Sequence, residues 1–264
     1  YKINKSPIHL LSEQLGINIK TPNKIEEEFE YLKSLNLDLA IVVAYGQILS
    51  KDILKLSRNG FINIHASLLP KWRGAAPIQR SLINMDKITG ISIMKINQNL
   101  DEGPVCNKYP LEILENENAK NLSDRLSKLS AEKILENIDK IFNKKVTFEE
   151  QDNSVASYAK KIRKKEGKIN WTENANQIIA KINGLYPSPG AWFNFENQRY
   201  KILKAELSEN SAKLGEIVDD ELTISCGEKS LKVIEIQREG KKPQLIKEFL
   251  LGSKLKKGII LNND

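Results

Sequence analysis

At 264 residues, with only two cysteines, far apart and without CxxC or His-rich company, the chain is too long for a disulfide scaffold, offers no structural zinc site and has room for two modest domains. No apolar run approaches membrane-span length and nothing resembles a signal peptide, so a soluble, cytoplasmic, monomeric protein with no metal is expected. The net charge of +7, from 41 Lys and Arg against 34 Asp and Glu, suits an anionic partner such as nucleic acid, although a chain this rich in Lys, Ile and Asn carries such a balance without any partner.

Ser6-Pro7 reads as an N-cap followed by a proline in the first helical turn, and Ile8, Leu11 and Leu15 follow at helical spacing until Gly16. A short strand is expected at Ile17–Ile19 and a second helix around Ile25, Phe29 and Leu32. Leu39–Ala44 is a continuous apolar run of the kind buried on both faces of a parallel sheet. These alternating elements predict an α/β domain. Such a sheet ordinarily opens on a strand, whereas this chain opens on loop and helix, so one or two leading strands are expected to be missing.

Phe61–Gly74 is the stretch around which the rest is organised. Asn63 and His65 lie two apart in a short apolar run, which in a strand puts both side chains on one face. Pro70 and Gly74 then end any ladder, so Ser67–Gly74 is a loop leaving the strand's carboxyl end, where open parallel sheets place ligands. The chain has only two His, and His9 sits in an ordinary amphipathic helix pattern, so any imidazole chemistry falls on His65. A polar pair hydrogen-bonded to a neighbouring loop accounts for the same residues equally well.

Ala75–Met85 reads as a helix with Pro77 in its first turn, Ile91–Ile96 as an alternating strand, and Asn97–Pro104 as a loop. That loop sets Asp101 past the end of its own strand, within reach of His65 if the two strands are neighbours. A strand at Val105–Ile113 and a long helix carrying Leu122, Leu126, Leu129 and Ile138 complete a first domain over residues 1–143. Residues 144–168 are polar and read as a connecting arm, with the basic run Lys160–Lys165 inside it.

The remaining residues, 169–264, form a second domain. It opens on a helix from Asn174 and the breaker Pro187-Ser188-Pro189-Gly190. Short strands are then expected at Ala191–Phe195, Tyr200–Leu207, Leu214–Val218, Leu222–Cys226 and Leu231–Ile236. A small closed, OB-like β-barrel is the predicted outcome.

The run Asn63-Ile-His65-Ala-Ser67-Leu-Leu-Pro70-Lys-Trp72-Arg73-Gly74-Ala-Ala-Pro77, followed by Thr89-Gly90-Ile-Ser-Ile-Met and Leu100-Asp101-Glu-Gly103, resembles the formyl-transferring enzymes that use 10-formyltetrahydrofolate. Within that superfamily it is similar to the branch whose acceptor is methionyl-initiator tRNA. Val42–Gly46 and Tyr186–Ala191 fit the same pattern. The resemblance implies a Rossmann-like, mostly parallel sheet followed by the OB-like domain. It implies that Asn63, His65 and Asp101 are catalytic. It also implies that Ser67, Leu68, Leu69 and Pro70 line the folate loop, and that Gln47, Ile48 and Leu49 hold the pterin through backbone groups. The family's amino-terminal strand, its glycine-containing loop and most of its basic insertion have no counterpart here.

An amine attacking a formyl carbon builds negative charge on the formyl oxygen, so donors must already point at it, and Asn63 with a protonated His65 can supply them. Asp101 can favour the imidazolium form or take the proton that the attacking nitrogen loses. Ser67 reads as a loop-capping hydroxyl or a folate contact rather than a nucleophile. Arg73 either meets folate or substrate phosphates or braces its own loop. Lys161, Arg163 and Lys164 either meet RNA phosphates or form a solvated linker. The partners implied are folate and aminoacylated initiator tRNA. The alternatives are formylation of a small amine, such as an amino-sugar nucleotide, and an idle folate- or RNA-binding module.

Overall fold

The computed structural model describes residues 5–210 and 212–262. Helix α1 spans Pro7–Gln14, and the Ser6 hydroxyl accepts from the His9 N–H at 3.1 Å as its N-cap. The second helical signal resolves into a 3-10 turn, Ile25–Glu28, running into α2, Phe29–Ser34. The strand expected at Ile17–Ile19 is not formed; these residues are irregular and largely exposed.

Four strands make the first sheet: β1 (Ala40–Val42), β2 (Phe61–His65), β3 (Ile88–Lys95) and β4 (Val105–Glu112), in the order β1-β2-β3-β4. Only β1 and β2 are parallel; β2–β3 and β3–β4 are antiparallel. The expectation of a mostly parallel sheet therefore fails for the described strands, and the sheet is mixed. The chain between β2 and β3 contains the loop and helix α4 (Pro77–Ile83) and re-enters the sheet at the same end that it left, instead of crossing over to run in the same sense. Nor is the Leu39–Ala44 run buried on both faces, since Ile41 in β1 and Val43 just after it are exposed.

Helix α5 (Ala119–Phe142), capped by the Asn118 side chain, covers one face of this sheet. Its Leu122 and Leu126 pack with Ile64 and Ile91, and its Ile141 with Ile62 and Ile93. Ile62 and Ile64 thus face α5, and by the two-residue strand period Asn63 and His65 face away from it. A short helix absent from the sequence reading, α3 (Lys51–Leu54), caps β1's carboxyl side and buries Ile53 against Leu49 and Phe61.

The second sheet has the order β5-β6-β8-β7, with β9 on β8: β5 (Ala191–Phe195), β6 (Gln198–Ser208), β7 (Thr223–Ser225), β8 (Ser230–Arg238) and β9 (Gln244–Leu245). Among the described residues this sheet does not close into a barrel. The expected strand at Leu214–Val218 contributes only isolated bridges, Glu216 to Ile260 and Ile217 to Ile224. Helices take up the apolar surface that closure would have buried. Helix α6 (Ala175–Leu185) and α7 (Ile246–Leu250) pack Ile178, Ile182 and Phe249 with Trp171, Phe193, Ile202 and Val233 in one large core. Truncating a fully buried member such as Ile182 to Ala would cost about 2–5 kcal/mol.

The two sheets are joined through α4 and α6. Gly184 lies inside α6, where a Cβ would meet Ile83 Cγ1 at 2.7 Å and the Gln79 carbonyl at 3.0 Å, so only glycine permits this helix contact. The arm that links the two halves is fastened as well. Val105 and Glu149 exchange both backbone hydrogen bonds, and residues 157–159 run alongside the loop after β2. No described helix is long and apolar enough to cross a membrane.

Candidate active site

The site is built on the face of the first sheet opposite α5. The Asn63 amide is partly exposed and makes no hydrogen bond to any described residue. His65 is buried, at 6 % exposure, and its two ring nitrogens have different partners. Nε2 lies 2.9 Å from the Trp72 carbonyl oxygen, and Nδ1 lies 3.6 Å from Asp101 Oδ2. A carbonyl only accepts, so Nε2 carries a proton and Nδ1 is the nitrogen left to gain or lose one.

Asp101 reaches His65 by a route the sequence did not indicate. Because β3 is antiparallel to β2, its last residue, Lys95, pairs with Ile62, three residues back from His65. The loop after β3 must therefore run back along β2. It does so with Asp101 in the left-handed region at φ +53, and the Gly74 N–H donates to Asp101 Oδ2 at 2.8 Å. Trp72, at φ +63, is also left-handed. Such a conformation costs on the order of 1–2 kcal/mol in an L residue, so the surrounding bonds must hold it.

Those bonds come from the arm. Trp72 N–H donates to Ser157 Oγ at 3.0 Å, Arg73 N–H to the Ser157 carbonyl at 2.8 Å, and Ala159 N–H to the Arg73 carbonyl at 2.7 Å. Gly74 sits so close that a Cβ would meet the Ala159 carbonyl at 2.9 Å. On the other side the Trp72 indole donates to Asp86 Oδ2 at 2.8 Å, and Lys71 Nζ reaches the same oxygen at 2.9 Å. Burial on its own would raise the Asp86 carboxyl, but the hydrogen bonds from Lys71, Trp72 and Asn84 outweigh it and leave the group below the ordinary carboxylate range.

The remaining expected residues fall into three sets. Ser67 is fully buried; its hydroxyl donates to the Lys71 carbonyl at 2.5 Å, which makes it a loop cap. Its own carbonyl accepts from Ser92 Oγ, which in turn accepts from the Leu69 N–H. Leu69 is buried in a small cluster with Met94 and Val105, while Leu68 and Pro70 stay partly accessible. In the segment after β1, the Leu49 side chain belongs to the core and Gln47 Nε2 donates to the Asn23 carbonyl, but Ile48 is 74 % exposed. The backbone groups of Gln47, Ile48 and Leu49 make no hydrogen bond to a described residue.

Arg73 is corrected outright as a nucleic-acid contact. It is 1 % exposed, with Nε on Gln151 Oε1 at 3.0 Å, Nη2 on Asn153 Oδ1 at 2.8 Å and Nη1 3.4 Å from Glu102 Oε1. It braces the loop. Lys161, Arg163 and Lys164 are exposed and form no salt bridge among the described residues, beside an Arg80–Glu166 pair at 2.8 Å. Sequence reading missed Gln151, Asn153, Ser157 and Asp86, since amides and hydroxyls in a polar stretch leave no periodic signal. No described group of His, Cys, Asp and Glu could hold a metal ion.

An α/β enzyme domain with an amide, an imidazole and a carboxylate on one sheet face, followed by a smaller β domain, is the class that this fold and site define. The chain belongs to the formyl transferase family: the formyl transferase model matches residues 2–138, and its C-terminal domain model matches residues 161–254. It is 59 % identical over 266 residues to a methionyl-tRNA formyltransferase from Pelagibacter ubique (strain HTCC1062), covering 99 % of this chain and 86 % of that one. Among solved structures it resembles an N-formyltransferase from Helicobacter canadensis in complex with folinic acid and dTDP-3-aminofucose. That match has a TM-score of 0.68 at 20 % identity, over 89 % of this chain and 83 % of that one. It also resembles a methionyl-tRNA formyltransferase from Clostridium thermocellum, with a TM-score of 0.56 at 22 % identity over 72 % and 81 %.

Proposed function

We propose that this protein transfers the formyl group of 10-formyltetrahydrofolate to the free amino group of methionyl-initiator tRNA, the charged tRNA that begins translation. The observation that carries the reading is the approach of Asp101 to His65, which shares its face of β2 with Asn63, in a chain of this family. The amine attacks the formyl carbon, the carbonyl oxygen takes up negative charge, and the tetrahedral intermediate collapses with loss of tetrahydrofolate. Asn63 brings two amide donors that no other described residue occupies, suited to the developing oxyanion.

His65 is held in orientation by the Trp72 carbonyl, so its Nδ1 is the nitrogen that can exchange a proton in the gap it shares with Asp101. That gap of 3.6 Å is wider than a direct hydrogen bond, as catalytic contacts often are before substrates bind. Asp101 takes the proton that the attacking nitrogen releases. No covalent intermediate with the protein is needed: the Ser67 hydroxyl is committed to Lys71, and Cys106 packs with Ile62 and Ile93 on the other face of the sheet.

Folate is supported by the exposed Ile48 beside backbone groups that no described residue pairs, past the carboxyl end of β1, an apolar surface and a set of hydrogen-bonding groups for a flat pterin. Leu68 and Pro70 flank the donor on the opposite loop. The proposed division of labour gives chemistry to residues 1–143 and tRNA binding to residues 169–264, together with the basic face of Lys161, Arg163 and Lys164.

The deciding experiment offers 10-formyltetrahydrofolate with methionyl-initiator tRNA, an amino-sugar nucleotide or glycinamide ribotide, and follows tetrahydrofolate release. Turnover is expected with the tRNA and with neither small amine. Turnover with a small amine and none with the tRNA would overturn the acceptor assignment.

A further inference from the structure

The arm does more than join the two halves. Gln151 is partly buried on it, two residues beyond the Val105–Glu149 pair, and its amide is fully used. Nε2 donates to the Asp101 carbonyl and to the Gly103 carbonyl, both at 2.8 Å, and Oε1 accepts from Arg73 Nε at 3.0 Å. The amide has one possible orientation, because its partners are two acceptors on one side and a pure donor on the other.

We infer that Gln151 is a positioning residue that sets the Asp101 carboxylate against His65, an inference that rests on the proposed role of Asp101. The bonds form a closed circuit. Gln151 holds the Asp101 backbone on one side and Arg73 on the other; the residue after Arg73, Gly74, donates its N–H to Asp101 Oδ2; and that oxygen faces His65 Nδ1. Backbone and side chain of Asp101 are therefore fixed from two directions by one amide. Both ends of the turn around Glu102 are anchored to Gln151, which holds Asp101 at its left-handed φ of +53.

Chemistry explains why an amide is needed. A carboxylate of the same length would keep the Arg73 contact, but it has no hydrogen to offer the two carbonyls and would place a negative charge beside Asp101 and Glu102. A methionine would fill the same space with neither bond. Either change leaves Asp101 chemically intact and free to drift, and misplacement by about 1 Å can cost on the order of a hundredfold in rate.

The test is a double-mutant cycle on the full chain, with 10-formyltetrahydrofolate and methionyl-initiator tRNA as substrates. Gln151→Glu and Gln151→Met are each made alone and in the Asp101→Asn background, and kcat, the KM for the folate donor and the melting temperature are measured. Gln151→Glu alone should lower kcat on the order of ten- to a hundredfold with the donor KM unchanged. In the Asp101→Asn background it should add no further loss. If Gln151→Glu does not fold, Gln151→Met, uncharged and of the same length, carries the same cycle. A wild-type kcat in the folded variants, or an equal fold-loss in both backgrounds, would overturn the inference while leaving Asp101 in place. A wild-type kcat in Asp101→Asn itself would instead remove Asp101 from the chemistry, and this inference with it.

Discussion

The Trp72 carbonyl oxygen and His65 Nε2 lie 2.9 Å apart, and this contact decides how the imidazole works. With Nε2–H committed to a main-chain acceptor, the ring cannot turn to present that nitrogen elsewhere. Nδ1, on the side of Asp101, is the nitrogen left for the proton exchange proposed above. Trp72 thus sets the tautomer through its backbone, while its indole anchors the loop to Asp86.

His65→Ala should lower kcat by about 10²–10⁴ and Asn63→Ala by about 10²–10³, with folate affinity essentially unchanged, because both act on charge that develops only in the transition state. Single-turnover formyl transfer and a folate titration on each variant check this. A variant whose loss lies wholly in folate affinity would belong to the binding surface instead.

Removing the Asp86 anchor should loosen the loop from outside the site. Asp86→Ala leaves the Trp72 indole and Lys71 without their shared carboxylate, and should cost about 1–3 kcal/mol in denaturant unfolding. The sign with pH follows from the lowered Asp86 group. Its contribution is present above the ordinary carboxylate value, about 3.9, and is lost as pH falls through the lower folded value. Wild type should therefore lose stability more steeply on acidification than Asp86→Asn.

The two thiols should be inert in the folded protein. Burial pushes Cys106 up to about 11 and Cys226 up to about 12, so the reactive thiolate is a trace species at pH 8. A thiol-specific reagent should label neither on the time scale on which it labels free cysteine, and both after unfolding in denaturant. Labelling should quicken with each unit of pH up to those values. Rapid native labelling at pH 8 would contradict the raised values of the half-buried Cys106 and the buried Cys226.

On the arm, neutralising Lys161, Arg163 and Lys164 together should weaken tRNA binding and flatten its salt dependence, by a slope of roughly 0.7–0.9 for each RNA phosphate that is no longer neutralised. Folate affinity should not change. Identical binding curves for wild type and the triple variant across a salt series would make this stretch a solvated connector and nothing more.

The sequence made Asn63 and His65 legible because strand alternation is a local rule, and the breakers Pro70 and Gly74 marked the loop just as locally. It made the helix cap at Ser6 legible for the same reason. The sense of β3 was not legible. The pairing of β3 with β2 is long-range, so the contact between Asp101 and His65 was expected for a reason that the antiparallel register removes. The second sheet misled in a similar way. Five short apolar runs read as closure, whereas Leu214–Val218 contributes only bridges and α6 covers the open face. The roles of Arg73 and Gln151 depend on residues about eighty apart in sequence finding each other, which no window of the sequence contains.

The fastening of residues 149–159 to the first sheet also redraws where a minimal catalytic piece can be cut. Asn63, His65 and Asp101 all precede Asn143, yet the groups that hold Trp72 and Arg73 in place, the Ser157 hydroxyl and the backbone of Ser157 and Ala159, come after it. A fragment truncated at Asn143 would retain the side chains proposed to react and forfeit the strap that aligns them. One ending beyond Ala159 keeps the strap, so the chemistry ends later along the chain than the sheet that bears it.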